Sequence, residues 1–216
     1  MNLGHCNQYE GLERSFAFKL STIFADHTVP RVRPAQLHAL VPACGARYDP
    51  YMTEKTPTPL FQRLRRNIYI DVDGVCLRNA SSSPAGMELA PHVFEFLQWA
   101  TEFHQPHWLT TRDAHGQHDG ILRAFRLAMG SPTLPAKIEA LLKLIKPTTW
   151  HGSKVSAIDL GSDFVWIDDQ PLTVEIDALQ CRNLLSRLIV IDTNKDDDGL
   201  LRAIDAINSL SKNPLA

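Results

Sequence analysis

The pattern of hydrophobic and polar positions becomes regular at Asn67. From there onward, short apolar runs of strand length alternate with longer segments in which apolar residues recur every three or four positions. This alternation predicts an α/β fold with a mainly parallel sheet and helices on both faces. The predicted strands span 67–72, 107–110, 164–167 and 188–191, and the predicted helices span 91–103, 116–129, 135–146 and 199–210. Ser153 is the expected N-cap of a further short helix, which carries Lys154 in its first turn.

The first 66 residues show a different pattern. Apolar residues spaced three or four apart predict an amphipathic helix over 12–24. Six prolines follow between positions 30 and 59, and they leave room only for short helices such as 34–40. We therefore expect two parts: a Pro-rich, partly helical and otherwise irregular N-terminal extension over 1–66, and one α/β domain over 67–216.

Polar side chains stand where the predicted strands end. The first strand ends in Asp71 and Asp73, followed by Gly74, the second ends in Thr110, and a later strand ends in Asp168 and Asp169. In open α/β sheets, ligands bind beyond the carboxyl ends of the strands, so these groups are expected to converge. Four carboxylates repel one another unless a hard cation lies among them, and Mg²⁺ prefers oxygen ligands of this kind. The sequence therefore predicts a magnesium site, with Lys154 supplying a further positive charge for a phosphate.

Four motifs in chain order carry a resemblance to a known family. They are Asp-x-Asp-Gly at 71–74, an apolar strand ending in Thr110, Lys154 near a helix start, and an apolar strand ending in Asp168-Asp169. In this order the chain resembles the haloacid dehalogenase (HAD) superfamily over residues 67 to about 210. The resemblance implies a Rossmann-like three-layer α/β/α sandwich and a phosphatase that depends on Mg²⁺.

The resemblance also implies a role for each residue. Asp71 would be the nucleophile that forms an aspartyl-phosphate, and Asp73 would protonate the leaving oxygen and then activate water. Thr110 and Lys154 would bind phosphoryl oxygens. The implied metal ligands are Asp71, the backbone carbonyl of Asp73, Asp168 and, through water or by orienting the others, Asp169. Further expected phosphate contacts come from Gly74 and Thr111.

Some of these assignments have alternatives within the sequence. Thr111 competes with Thr110 as the motif threonine, although Thr110 directly follows the apolar run and leaves Arg112 two residues on, as in Thr-x-Arg versions of the motif. Lys137, Lys143 and Lys146 compete with Lys154, but they fall in or at the end of a long predicted helix. The histidines at 104, 107, 115 and 118 match no standard zinc spacing.

Motif spacing bears on the class of substrate, and composition bears on the partners and the cellular compartment. Only 36 residues separate Asp73 from Thr110, and 43 separate Thr110 from Lys154, which resembles HAD members without a separate cap. Such members often act on bulky or macromolecular phosphates. Residues 1–67 hold nine basic and five acidic residues, while the whole chain carries a net charge of -2, so nucleic acid is neither indicated nor excluded as a partner. Four widely spaced cysteines, the lack of a membrane span and the lack of a signal-peptide pattern predict a cytoplasmic protein.

The sequence thus predicts a magnesium-dependent phosphatase that hydrolyses a phosphorylated substrate and is able to form an oligomer. The alternative is a catalytically silent binding or regulatory module with the same fold. Retention of both Asp71 and Asp73 favours the enzyme, because catalysis needs both.

Overall fold

The computed structural model of the chain describes residues 65–212, with the side chains of residues 65–210. The helices expected over 12–24 and 34–40 lie outside this part of the chain. Residues 65–212 contain seven strands: β1 Asn67–Ile70, β2 Leu77–Asn79, β3 Met87–Leu89, β4 Gln105–Trp108, β5 Lys146–Pro147, β6 Phe164–Asp168 and β7 Leu188–Val190. The same part of the chain contains five α-helices: α1 Val93–Phe103, α2 Asp119–Ala128, α3 Ala136–Leu144, α4 Thr173–Gln180 and α5 Gly199–Lys212.

The main sheet has five parallel strands in the order β5-β4-β1-β6-β7. Strand β1 lies at the centre and pairs with β4 on one side and β6 on the other, with Ile70 opposite Trp108 and Ile167. The chain extends the sheet from β1 through β4 to β5 and then returns to the other side of β1 for β6. Beside β1 the order therefore reverses, and open α/β sheets bind ligands at such a switch point. The predicted α/β fold with a parallel sheet is confirmed.

Both faces of the central strands are buried. Tyr69, Phe164 and Trp166 share one face, where they form a core with Leu179 of α4 and Ile158. Because side chains alternate along a strand, Ile70 and its neighbour Trp108 lie on the opposite face. There the indole N–H of Trp108 donates to the carbonyl oxygen of Leu142 in α3 at 3.1 Å, and its ring lies 6.2 Å from that of Phe125 in α2. The helices thus cover the sheet from both sides.

Three features were not predicted. The Ser-rich segment before α1 contains an antiparallel hairpin of β2 and β3, and helix α4 follows β6. Lys146, expected at the end of a helix, instead begins strand β5, because α3 ends at Leu144. The predicted strands also have different bounds, and two of the differences affect the site. Strand β1 ends at Ile70, so Asp71 and Asp73 both lie beyond it, and β4 ends at Trp108, two residues before Thr110. Within residues 65–212, no helix is both long and apolar enough to cross a membrane.

Candidate active site

Asp71 is placed at the carboxyl edge of the sheet by the last hydrogen bonds of the central ladder. Its backbone N–H donates to the carbonyl oxygen of Ile167 at 3.0 Å, which keeps the chain parallel to β6 for one residue past β1. The side chain turns inward and is 9% exposed. Its Oδ1 accepts a hydrogen bond from the backbone N–H of Val72 at 2.7 Å, which fixes the orientation of the carboxylate.

Asp168 and Asp169 meet Asp71 from the neighbouring strand. Asp168 is the last residue of β6 and is 1% exposed, and its Oδ1 accepts from the backbone N–H of Gln170 at 3.0 Å. One carboxylate oxygen from each of Asp71, Asp168 and Asp169 lies within 4.8 Å of the other two. The convergence expected from the strand ends is present for these three acids.

Lys154 supplies the positive charge inside this cluster. Its Nζ donates to Oδ2 of Asp71 at 2.5 Å and to Oδ2 of Asp168 at 2.6 Å, and its side chain is 11% exposed. Ser153 caps the 3₁₀ turn that carries Lys154, as expected, by accepting from the backbone N–H of Val155 at 3.3 Å. The structure therefore brings together Asp71, Lys154 and Asp168 from three separate segments of the chain.

Burial and charge shift the titration of these groups. Burial raises the pKa of Asp71 to about 7; the positive charge of Lys154 opposes this rise and the negative charge of Asp168 adds to it. Burial also raises the pKa of Asp169, and Asp168 raises it further. For Lys154, burial lowers the pKa, but the carboxylates of Asp71 and Asp168 outweigh burial and hold the pKa above its ordinary value. Burial therefore makes Asp71 and Asp169 harder to ionise than ordinary carboxyl groups.

This donor set fits a divalent cation of the magnesium type. All three acids offer oxygen, two of them are buried, and burying several carboxylates together is costly without a compensating positive charge. Asp71, Asp168 and Asp169 are the residues that would hold the ion.

Asp73 lies in a different environment from Asp71. Its carboxylate is paired with the guanidinium of Arg112, with Nη2 to Oδ1 at 2.5 Å and Nε to Oδ2 at 2.8 Å. Half of the Asp73 side chain is exposed, and it is not among the three acids that converge. A bidentate ion pair of this kind fixes both the position and the plane of the carboxylate.

The two threonines of the second motif differ in burial. Thr110 is 1% exposed, and its Oγ1 accepts from the backbone N–H of Arg112 at 3.2 Å, which starts the 3₁₀ turn at Thr111–Asp113. Thr111 is exposed. The indole N–H of Trp150 donates to the carbonyl oxygen of Thr110 at 3.3 Å, so this loop is also fixed from the segment that leads to Lys154.

Gly74 allows the chain to turn directly after the first motif. Its φ of +71° lies in the left-handed region, and a Cβ at this position would overlap the carboxylate of Asp169. Its carbonyl oxygen accepts from both the backbone N–H and the hydroxyl of Thr193, at 2.8 and 2.9 Å. Gly74 therefore lets the first loop approach Asp169 closely.

Sequence reasoning missed Glu175, a buried carboxylate beside the cluster. Its Oε1 accepts from the backbone N–H of Lys154 at 2.7 Å and from the hydroxyl of Ser153 at 3.1 Å. The only signal in the sequence is an acidic residue in the first turn of α4, and α4 itself was not predicted.

Comparisons with known proteins add little to this geometry. No protein-family model matches the chain, and no curated protein matches it. Among solved structures, the chain is similar to that of Fcp1, described as an essential RNA polymerase II CTD phosphatase, with 13% identity and a TM-score of 0.35. The alignment covers 70% of this chain and 51% of the Fcp1 chain, about half its length. At this identity and TM-score, the likeness assigns neither family nor activity.

Proposed function

We propose that this protein is a magnesium-dependent phosphohydrolase of the HAD type that cleaves a phosphomonoester through an aspartyl-phosphate. The observation that carries the proposal is the buried ion pair of Lys154 with Asp71 and Asp168, next to Asp169. Its position, at the carboxyl edge of a parallel sheet and at the switch point, is where such folds bind ligands.

In the proposed reaction, a carboxylate oxygen of Asp71 bonds to phosphorus while the bond from phosphorus to the ester oxygen breaks. Water then attacks the aspartyl-phosphate, which releases inorganic phosphate and restores the Asp71 carboxylate. Bound magnesium supplies positive charge that offsets the repulsion between the anionic nucleophile and the anionic substrate. Lys154 holds the Asp71 carboxylate and places a second positive charge where phosphoryl oxygens arrive.

Asp73 is the proposed acid and base. It would give a proton to the leaving oxygen and later take one from the attacking water. Its side chain is half exposed, as a group that meets substrate must be, and Arg112 fixes its plane. The Thr110 hydroxyl, buried one residue before the exposed Thr111, would bind a phosphoryl oxygen.

The proposed substrate class is a phosphorylated molecule that includes bulky or macromolecular phosphates. The segment between Asp73 and Thr110 consists of the β2-β3 hairpin, α1 and β4, and the segment between Thr110 and Lys154 is used by α2, α3 and β5. Neither segment has residues left for a separate folded cap. An open edge of this kind suits a nucleotide, a phosphopeptide or the phosphorylated end of a nucleic acid.

Phosphate release from a panel of phosphorylated metabolites, nucleotides and phosphopeptides tests the proposal, with Mg²⁺ and with EDTA. We expect release that requires Mg²⁺ and that falls by at least about 10³-fold in Asp71→Asn, because the nucleophile is lost. The matched control is Asp205→Asn, which makes the same change at an exposed position of α5. Equal release by Asp71→Asn and wild type would refute the mechanism.

A binding or regulatory module remains the second candidate. The observation that favours it is the Asp73 carboxylate, both of whose oxygens accept hydrogen bonds from Arg112. This candidate predicts that the wild-type protein binds Mg²⁺ in a calorimetric titration but releases no phosphate from any compound in the panel.

A further inference from the structure

Glu175 is a buried carboxylate that the proposed chemistry does not use. It lies in the first turn of α4 and is 2% exposed. Removing a carboxylate from water is costly, and hydrogen bonds to its oxygens have to offset the loss. Three donors surround it: the hydroxyl of Ser153 and the backbone N–H groups of Lys154 and Leu172.

The two oxygens of Glu175 contact different parts of the chain. Oε2 accepts from the backbone N–H of Leu172 at 3.0 Å, while the N–H of Glu175 donates to the carbonyl oxygen of Leu172 at 2.9 Å. This reciprocal pair closes the start of α4, as in a capping box. A surface glutamate can make such a cap, so capping alone does not explain the burial.

Oε1 reaches a segment about twenty residues earlier in the chain. It accepts from the Lys154 backbone N–H at 2.7 Å and from the Ser153 hydroxyl at 3.1 Å. The turn that begins there, Lys154–Ala157, is a single 3₁₀ turn of four residues. A helical segment this short has little stability of its own, so tertiary contacts must fix it.

The position of this turn decides where the Lys154 amine lies. The amine contacts Asp71 at 2.5 Å and Asp168 at 2.6 Å, so a small displacement of the turn would break both ion pairs. Asp168 ends β6, and α4 begins five residues later. Glu175 therefore ties the Lys154 turn to the same segment that carries Asp168.

We propose that Glu175 is a positioning residue that acts through Lys154. Its Oε1 fixes the Ser153-Lys154 turn and thereby holds the Lys154 amine between Asp71 and Asp168. The effect on catalysis rests on the proposed function, whereas the effect on the position of Lys154 does not.

Two substitutions separate this role from a purely structural one. Glu175→Gln keeps the shape but leaves a single acceptor oxygen, so it cannot serve the N–H groups of both Lys154 and Leu172. Glu175→Ala removes both acceptor oxygens and, in the folded protein, measures the effect of losing every contact between Glu175 and the Lys154 turn. Asp177→Asn is the matched charge control on an exposed position of α4, and Ala178→Gly weakens the same helix by about 1 kcal/mol without touching the turn.

The first measurement is the rate at which acetic acid N-hydroxysuccinimide ester acetylates Lys154 in the folded protein, read by mass spectrometry. Exposed Lys195 in the same molecule is the internal reference. We expect Glu175→Gln to raise the Lys154 rate about tenfold relative to Lys195, since losing one hydrogen bond to a charged group corresponds to a factor of this order. The two control variants should leave the ratio at the wild-type value.

The second measurement is the hydrolysis of p-nitrophenyl phosphate with Mg²⁺, at a temperature well below the thermal unfolding midpoint of each variant. We expect kcat/KM to fall about tenfold in Glu175→Gln and to stay within about twofold in the controls. An unchanged Lys154 acetylation ratio in both Glu175→Gln and folded Glu175→Ala overturns the inference, whatever the activity. If Glu175→Gln raises the Lys154 acetylation ratio but even the wild type releases no phosphate, then Glu175 does position Lys154 and the proposed function is refuted instead.

Discussion

Lys154 and its carboxylate partners show how neighbours give ordinary side chains unusual properties. A lysine amine in water is a mobile, solvated charge, but here two buried carboxylates fix it and raise its pKa. Burial and the Asp168 carboxylate raise the pKa of Asp71 to about 7, and the positive charge of Lys154 opposes that rise. The proposed nucleophile, Asp71, therefore depends on Lys154 and on the residues that hold Lys154 in place.

Gly74→Ala tests the close approach of the first loop to Asp169. The substitution adds a side chain at a φ of +71°, which costs about 1–2 kcal/mol of stability for most residues, and it forces the Asp169 carboxylate to move. We expect lower stability and, in addition, weaker Mg²⁺ binding by calorimetry.

Gly86→Ala is the matched control, because its φ is +69° and a Cβ there meets nothing within 4 Å. It should lose similar stability and bind Mg²⁺ like the wild type. Equal loss of Mg²⁺ affinity in both variants would contradict the proposed contact between Gly74 and Asp169.

Arg112→Lys tests the two hydrogen bonds by which the Arg112 guanidinium fixes the Asp73 carboxylate. Lysine keeps the charge but cannot make two parallel hydrogen bonds to one carboxylate. We expect kcat/KM for p-nitrophenyl phosphate to fall roughly 10-fold to 100-fold, which corresponds to one charged hydrogen bond of about 1.5–3 kcal/mol. Arg123→Lys, on the exposed side of α2, is the control and should match the wild type.

At the scale of elements, the β2-β3 hairpin is the feature that depends most on its surroundings. Each strand has three residues, and an isolated hairpin of this size is at best marginally stable in water. Arg78 in β2 pairs with Glu88 of β3 and with Asp197, both at 2.6 Å, and the backbone N–H of Asn79 donates to the side chain of Asn194. The hairpin is therefore tied to the loop before α5.

Arg78→Gln is expected to loosen the hairpin without unfolding the domain. Both ion pairs are partly exposed, so each contributes at most about 1 kcal/mol to global stability. Hydrogen exchange followed by mass spectrometry should show faster exchange over residues 77–89 and an unchanged rate in β1. Arg187→Gln removes a comparable exposed pair with Asp163 and serves as the control; faster exchange of the hairpin in that variant would refute the assignment.

The β2-β3 hairpin and α4 were not predicted because they lack a usable pattern in the sequence. In α4, Glu175 and Leu179 are buried while Leu172 and Val174 at its start are exposed, so the apolar positions do not form one stripe. In the hairpin, short polar strands are paired through Arg78 and Glu88 and through contacts far along the chain. Local periodicity cannot reveal elements whose stability comes from tertiary contacts.

At the scale of the whole molecule, Mg²⁺ should stabilise the fold because its proposed ligands, Asp71, Asp168 and Asp169, come from two chain segments that only folding brings together. At a concentration of about 100 times the dissociation constant, binding to the folded state alone adds about 2.7 kcal/mol. We expect Mg²⁺ to raise the unfolding midpoint of the wild type and of Asp205→Asn. Asp169→Asn should lose most of this increase, and an equal increase in all three proteins would mean that Mg²⁺ binds elsewhere.

His104 makes the stability of the molecule depend on pH. Burial, followed by the nearby charge of Arg66, lowers the pKa of His104 to about 4, whereas an unfolded chain has a histidine pKa of about 6.5. Between these values the unfolded chain binds a proton that the folded chain does not. Stability is therefore present above pH 6.5 and is lost as the pH falls toward 4, by about 2 kcal/mol between pH 7 and pH 5.

Urea unfolding of the wild type and His104→Gln at pH 7 and pH 5 measures this effect. We expect the loss of stability between the two pH values to be smaller in His104→Gln by about 2 kcal/mol. His151→Gln, at an exposed position, should keep the wild-type difference. The prediction fails if His104→Gln and His151→Gln lose equal stability on acidification.

The sequence by itself determined the fold class and the origin of the site, because both depend on local pattern. Alternating strands and helices specify a parallel sheet, and parallel strands put their carboxyl ends at one edge, which is how Asp71 and Asp168 come together. Only the tertiary structure decided the partners at that edge. Distant segments placed Lys154 between two acids, paired Asp73 with Arg112, and buried Glu175 behind the lysine. Side-chain pairing across the sheet depends on where loops and turns lie in space, and spacing along the chain does not encode it.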